Sequence, residues 1–113
     1  MIGNIVFLAN MNQYVTTLSL LLKAGISLEE GLESSALLLE NDYMKNKFML
    51  VDSSIKRGIT LTEAFIETGY FEPMTLQMVN TGEQSGELDK MLASVAEYYK
   101  IKYDYIIDNL SAY

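Results

Sequence analysis

Gly58-Ile59-Thr60-Leu61-Thr62-Glu63-Ala64-Phe65 holds a helix stop and a helix start within eight residues. Glycine is the natural residue where a helix ends with positive φ. Thr60, followed three positions later by Glu63, has the form of a capping box, in which each side chain satisfies a free backbone N–H near the other. The same device occurs 33 residues earlier, in Gly25-Ile26-Ser27-Leu28-Glu29-Glu30-Gly31-Leu32. That offset is close to the period of tetratricopeptide-type repeats. However, residues 86 to 92 repeat the pattern poorly and the Trp, Gly, Tyr and Pro positions of that repeat are missing. Two helix-joining junctions are the simpler account.

Working outward from these junctions, apolar residues recur at helical spacing almost throughout. Leu8, Met11, Val15, Leu18 and Leu22 form one face of a first helix over about 5–24, with Phe7, Tyr14 and Leu21 as a second stripe. The two stripes together predict a helix covered on more than one side. A second helix starts after Ser27 and buries Leu28, Leu32, Ser35 or Ala36, and Leu39. A third, about 43–57, carries Met44, Phe48, Val51 and Ile55, with Lys56 and Arg57 placed favourably against the dipole of its last turn. A short fourth runs from Leu61 to Gly69. Glu72-Pro73 opens a fifth, since proline at the first turn forfeits no hydrogen bond, and that helix is expected to end near Asn80 or Thr81. After a Gly82 to Gly86 loop, a last helix from Glu87 to about Asn109 presents Leu88, Leu92, Val95, Tyr99, Tyr103, Ile106 and Leu110. With short connections, sequential helices are antiparallel neighbours. The expected fold is all-α, a compact six-helix antiparallel bundle, with residues 1–113 as a single domain.

Composition removes most chemistry. The chain has no cysteine and no histidine, which excludes disulfides, thiolate or imidazole metal sites and the common nucleophile–base pairs. A formal charge of -7, from 15 acidic and 8 basic residues, opposes nucleic acid as a partner, because tracking phosphates needs clustered Lys and Arg. The greasiest run, Leu18 to Ala24, contains Ser19 and Lys23 and falls far short of the roughly 20 apolar residues of a membrane span. The chain as given is therefore expected to be soluble. Gly82 to Gly86 lacks the following Lys of a phosphate-cradling loop and continues into acidic Glu87 and Asp89. The carboxylates Glu29, Glu30 and Glu33, and Glu83, Glu87 and Asp89, sit near helix starts, where they complement the dipole. They match no calcium-loop spacing, and a carboxylate hydrolase would also need a sugar-lined cleft. No catalytic residue, cofactor site or metal site is expected.

The last helix is rich in tyrosine. Tyr99 and Tyr103 fall in its core stripe, whereas Tyr98, Ile101 and Tyr105 form a second stripe beside it. Tyrosine is favoured where one side of a residue is apolar and the other wet, so Tyr98, Ile101 and Tyr105 are a candidate interface with a partner or a second copy.

Leu21 to Leu28, Gly58 to Phe65 and, above all, Gly82-Glu83-Gln84-Ser85-Gly86-Glu87-Leu88 resemble the cytoplasmic F domain of bacterial type II secretion and type IV pilus platform proteins. The resemblance extends from about Val6 to Tyr103, and Pro73 matches a proline that precedes the fifth helix in that family. It implies a non-enzymatic six-helix domain, one of two similar copies in a polytopic inner-membrane protein, facing the cytoplasm. A membrane span would follow the last helix, so contact with the bilayer would come only through spans outside these residues. The implied partners are an assembly ATPase, other inner-membrane platform components, and pilin or pseudopilin subunits, together with a homodimer or higher homo-oligomer. Gly82, Glu83, Ser85, Gly86 and Leu88 carry the signature; Gly25 and Gly58 match inter-helix glycines, with Ser27 and Thr60 as caps. The expected roles are a tight turn at Gly82 and Gly86, a cap from Ser85, packing by Leu88, and a Glu83 that satisfies backbone or a neighbouring helix. Two positions depart from the family: Gly31 stands where Ala is usual, and the first helix has no basic residue before Lys23. The alternative is a free-standing soluble helical adaptor.

Overall fold

A computed structural model describes residues 2–111. They form six helices: α1 (Ile2–Lys23), α2 (Leu28–Leu37), α3 (Asp42–Lys56), α4 (Leu61–Thr68), α5 (Pro73–Ser85) and α6 (Leu88–Ser111). There is no strand among the described residues. Each helix packs on the next, and α1 closes the bundle by packing along α6.

The direction of that closure follows from two hydrogen bonds. Asn12 Nδ2 donates to the Ala96 carbonyl at 2.9 Å, and Ser19 Oγ donates to the Asp89 carbonyl at 2.7 Å. Seven residues up α1 thus correspond to seven residues down α6, so the two helices are antiparallel. Seven residues is close to two full turns, which keeps the same face of each helix in contact.

α1 is the central element. By length and composition its residues Gly3–Lys23 would suffice to cross a membrane, a property hidden when only the greasiest run is considered. In the bundle the helix is a core strut: Met11, Tyr14, Val15 and Leu18 are fully buried. Both predicted stripes contribute, since Tyr14 belongs to the second and is as buried as the first.

Aromatic rings knit the core together. Tyr14 of α1 stacks on Phe48 of α3 with centroids 3.7 Å apart, and Phe65 of α4 stacks on Phe71 at 4.1 Å. Phe71 meets Phe48 and Tyr99 of α6 edge-on. Such pairs contribute about 0.5–1.5 kcal/mol each beyond the area they bury. The Tyr14 hydroxyl sits where burial, and secondarily the Asp52 carboxylate, push its pKa up.

The junctions form as local rules require. Gly25, Gly58 and Gly69 adopt positive φ. Ser27 Oγ accepts from the Glu30 N–H at 3.3 Å, but the exposed Glu30 side chain does not return the bond, so only half of the capping box expected there forms. Asn41 Oδ1 accepts from the Met44 N–H at 2.9 Å, and Thr60 and Glu63 make both halves of a box. Gly31 has a packing reason that offsets its low helix propensity. A Cβ there would meet Leu18 Cδ1 at 3.1 Å, so its absence lets α2 lie close on α1.

One element boundary differs from expectation. α5 does not stop at Asn80 or Thr81 but continues to Ser85, which leaves Gly86 and Glu87 as the whole connection to α6.

Candidate functional site

The segment Gly82 to Leu88 is the junction of three helices. Gly82 lies inside the last turn of α5 and does not form a turn, as its pairing with Gly86 suggests in the sequence. It is buried, and a Cβ on it would stand 2.9 Å from the Leu88 Cα and 3.0 Å from the Met91 Cβ. Its role is close approach, with α5 pressed against the first turn of α6. The turn is made by Gly86 alone, at φ 74°, where its N–H donates back to the Gly82 carbonyl. Leu88 then packs against the core as the first residue of α6.

Ser85 ends α5 and is exposed. Since α6 starts at Leu88, its N-cap position is Glu87, whose carbonyl accepts from the Met91 N–H at 3.1 Å. The expected cap from Ser85 is therefore replaced. Glu87 also sits 3.2 Å from the Lys90 ammonium, an exposed pair of little energetic weight.

Glu83 turns away from α6 toward α4. One carboxylate oxygen accepts from the Leu61 N–H at 2.9 Å; the other accepts from the Thr62 N–H at 2.9 Å and the Thr62 hydroxyl at 2.6 Å. These amides belong to the first turn of α4, where helices leave N–H groups unpaired. The carboxylate also complements the positive end of the helix dipole. Together with Thr60, which takes the Glu63 N–H at 3.1 Å, it closes the α4 N-terminus. α4 is only eight residues long, short enough to be marginal without such anchoring.

Pro73 sits at the first turn of α5, and Glu72 before it makes no side-chain cap. Instead the Glu72 carboxylate accepts from the Tyr98 hydroxyl and, at 2.7 Å, from the Lys102 ammonium, binding the start of α5 to the middle of α6. Bonding to Lys102, then to Tyr98, holds the Glu72 carboxyl below its ordinary range, and bonding to Glu72 raises Lys102. The sequence carries no local signal for this triad, since Glu72 and Tyr98 are 26 residues apart.

The stripe Tyr98, Ile101 and Tyr105 therefore divides. Tyr98 is half-buried, bonded to Glu72 and packed edge-on against Tyr99. Ile101 and Tyr105 are open to solvent, 59% and 69% exposed. They line an apolar groove with Asn4 and Leu8 where the start of α1 meets the second half of α6.

Among the described residues, no three His, Cys, Asp or Glu side chains come together in a way that could hold a metal ion. Glu83 is engaged by backbone, and Glu87 and Asp89 do not join it. The structure brings Gly82, Glu83, Gly86 and Leu88 together as a folding joint between α4, α5 and α6, and leaves Ser85 outside it.

Residues 14–113 match the family model described as "Type II secretion system (T2SS), protein F". The chain is 35% identical to the type IV pilus assembly protein PilC of Pseudomonas aeruginosa over 96% of its own length and 29% of that protein. It is 34% identical to the type II secretion system protein F of the same organism, over 85% of this chain and 24% of that one. Against protein F of Aeromonas hydrophila it is 36% identical, over 78% of this chain and 23% of the relative. The chain thus spans less than a third of the length of these relatives.

Proposed function

The chain belongs to the type II secretion system protein F family, and from that premise we propose that it is a cytoplasmic scaffold domain of an inner-membrane platform protein. Residues 1–113 form one F-type domain, the N-terminal copy of a longer polytopic protein. That protein assembles a type IV pilus or a secretion pseudopilus. It couples a cytoplasmic ATPase to the extraction of pilin or pseudopilin from the bilayer, and the domain itself turns over no substrate.

The single observation that carries this reading is the family match over residues 14–113. The geometry agrees with it: the signature Gly82, Glu83, Gly86 and Leu88 is consumed in holding helices together. A scaffold that passes force or position between partners needs a rigid body, and the three-helix joint supplies one. Pilus and secretion relatives match at 35% and 34% identity, which supports a platform role common to both kinds of assembly. Ile101 and Tyr105 are the residues proposed to meet a platform partner or a second copy.

The test is fractionation of the native cell with antibody to this domain. A band several times the domain's mass, in the inner-membrane fraction and resistant to alkaline wash, is expected. A band of the domain's own size in the soluble fraction would overturn the platform reading in favour of a free-standing helical adaptor.

A further inference from the structure

Charge is distributed unevenly in this acidic chain. Residues 42–57 hold four of the eight basic residues, Lys45, Lys47, Lys56 and Arg57, against Asp42 and Asp52, for a net +2. The rest of the chain holds four basic and thirteen acidic residues, a net -9. That basic stretch is α3 with its C-cap Arg57, and it borders a groove between α3 and α4, about 320 Å³, whose lining includes Lys47, Leu50, Arg57, Ala64, Glu67 and Thr68.

The groove does not end there. Lys47 and Leu50 also line a second depression with Tyr43 and Asn46, so the surface continues along α3 from Arg57 to Tyr43. At 1.5 Å per residue that is about 21 Å, or four turns of a helix laid alongside. Two large apolar side chains stand open on it, Leu50 at 62% exposure and Tyr43 at 75%. They are seven residues apart on one face of α3, beside the buried Met44, Phe48 and Val51 stripe.

The cations on this surface differ in their availability. Arg57 is held by Ser54 at 2.9 Å and by Glu67 at 3.6 Å. Lys45 and Lys56 line neither depression and pair within α3, with Asp42 at 4.0 Å and the buried Asp52 at 3.2 Å. Lys47, at the centre, has no carboxylate within 4.0 Å among the described residues and meets only the Tyr70 ring face, 5.8 Å from its centroid.

We propose that the α3–α4 groove is a docking site for an acidic amphipathic helix of a partner protein, with its apolar side on Leu50 and Tyr43 and a carboxylate on Lys47. Apolar anchors in a groove with complementary charge at the rim are how a helix is recognised in this mode. The inference rests on the scaffold reading only in taking the occupant to be a protein.

The test uses the 113-residue chain, isotope-labelled, and two acetylated synthetic peptides of about 15 residues, each ~22 Å long as a helix. Both carry leucine at every third or fourth position; one has glutamate and the other lysine on the flanks. The glutamate peptide is expected to shift the amides of Lys47, Leu50, Arg57 and Thr68. Its affinity should fall about tenfold or more in Leu50→Ser and in Lys47→Glu, with helicity unchanged in both variants because neither residue is in the core. Lys47→Glu should in addition bind the lysine peptide more tightly than the parent chain does. Equal binding of both peptides to the parent chain, or shifts confined to other faces, would overturn the proposal. So would a loss of self-association in Leu50→Ser, which would make the groove an interface between copies. None of these outcomes touches the cell-fractionation result, so the two readings fail separately.

Discussion

Glu83 grips Thr62 twice, taking its backbone N–H at 2.9 Å and its hydroxyl at 2.6 Å across 21 residues of sequence. A side chain at the end of α5 thereby completes the beginning of α4, and the two helices fold as one unit.

Removing that grip should release α4. Hydrogen bonds to a charged acceptor contribute about 1.5–3 kcal/mol each when a buried donor is left behind. Glu83→Ala is expected to cost about 2–4 kcal/mol in urea unfolding, and Glu83→Gln clearly less, because one acceptor oxygen remains. Amide exchange at Leu61 and Thr62 should rise well before that of the α1 core. Unchanged exchange at those two amides would show that Thr60 suffices as the cap.

The two glycines of the signature should respond differently. Gly82→Ala forces the α6 backbone away from α5, since its Cβ would lie 2.9 Å from the Leu88 Cα; overpacking of this kind costs about 1–3 kcal/mol. Gly86→Ala meets no atom within 4 Å but must hold φ at 74°, a cost of about 1–2 kcal/mol that needs no shift of a neighbouring backbone. Thermal melts of the two variants should therefore rank Gly82→Ala as the less stable. The reverse order would mean that α6 can shift to make room.

The Glu72–Lys102 contact gives a signed pH dependence. Glu72 titrates below its ordinary 4.5 in the folded chain. Its contribution is thus present above pH 4.5 and is lost as pH falls through the depressed folded value. Lys102 titrates above its ordinary 10.5, so its contribution holds below pH 10.5 and is lost as pH rises through the raised folded value. Between these limits the link is intact. Urea midpoints for Glu72→Gln should lie below those of the parent at neutral pH and converge with them in acid. Parallel curves down to pH 2 would remove Glu72 from the acid limb.

Tyr98 and Tyr105, equivalent by spacing, should separate by experiment. Tyr98→Ser loses the bond to Glu72 and the packing on Tyr99, and is expected to destabilise by about 1–2 kcal/mol. Tyr105→Ser, like Ile101→Ser, should leave stability within about 0.5 kcal/mol. On the platform reading proposed above, the latter pair should impair pilus or secretion output at normal protein level. Full output from the double variant would remove this face from the assembly.

What the sequence discloses here is mostly local. A helix stop at Gly58 or a cap at Thr60 depends on residues three or four positions away, and those were readable, as was the bundle they imply. The end of α5 was not, because Gly82 and Gly86 look alike in one dimension. One is excused a side chain by a neighbouring helix, and the other by its own backbone angle. Glu83 could be expected to satisfy some helix but not to choose α4, and nothing near Tyr98 announces Glu72. The α3 groove leaves a trace in the spacing of Tyr43, Leu50 and Arg57 beside the core stripe. That trace is weak, because an apolar residue on a polar face is ordinary in isolation.

The antiparallel register of α1 and α6, fixed at Asn12–Ala96 and Ser19–Asp89, also sets how the domain carries load. The start of α1 and the end of α6 lie at one pole, so tension applied through those two points would unzip the seam one turn at a time. The same tension applied between that pole and the flank of α3 would shear all its contacts at once. A bundle built this way yields readily to a pull along its two ends and resists one applied from the side.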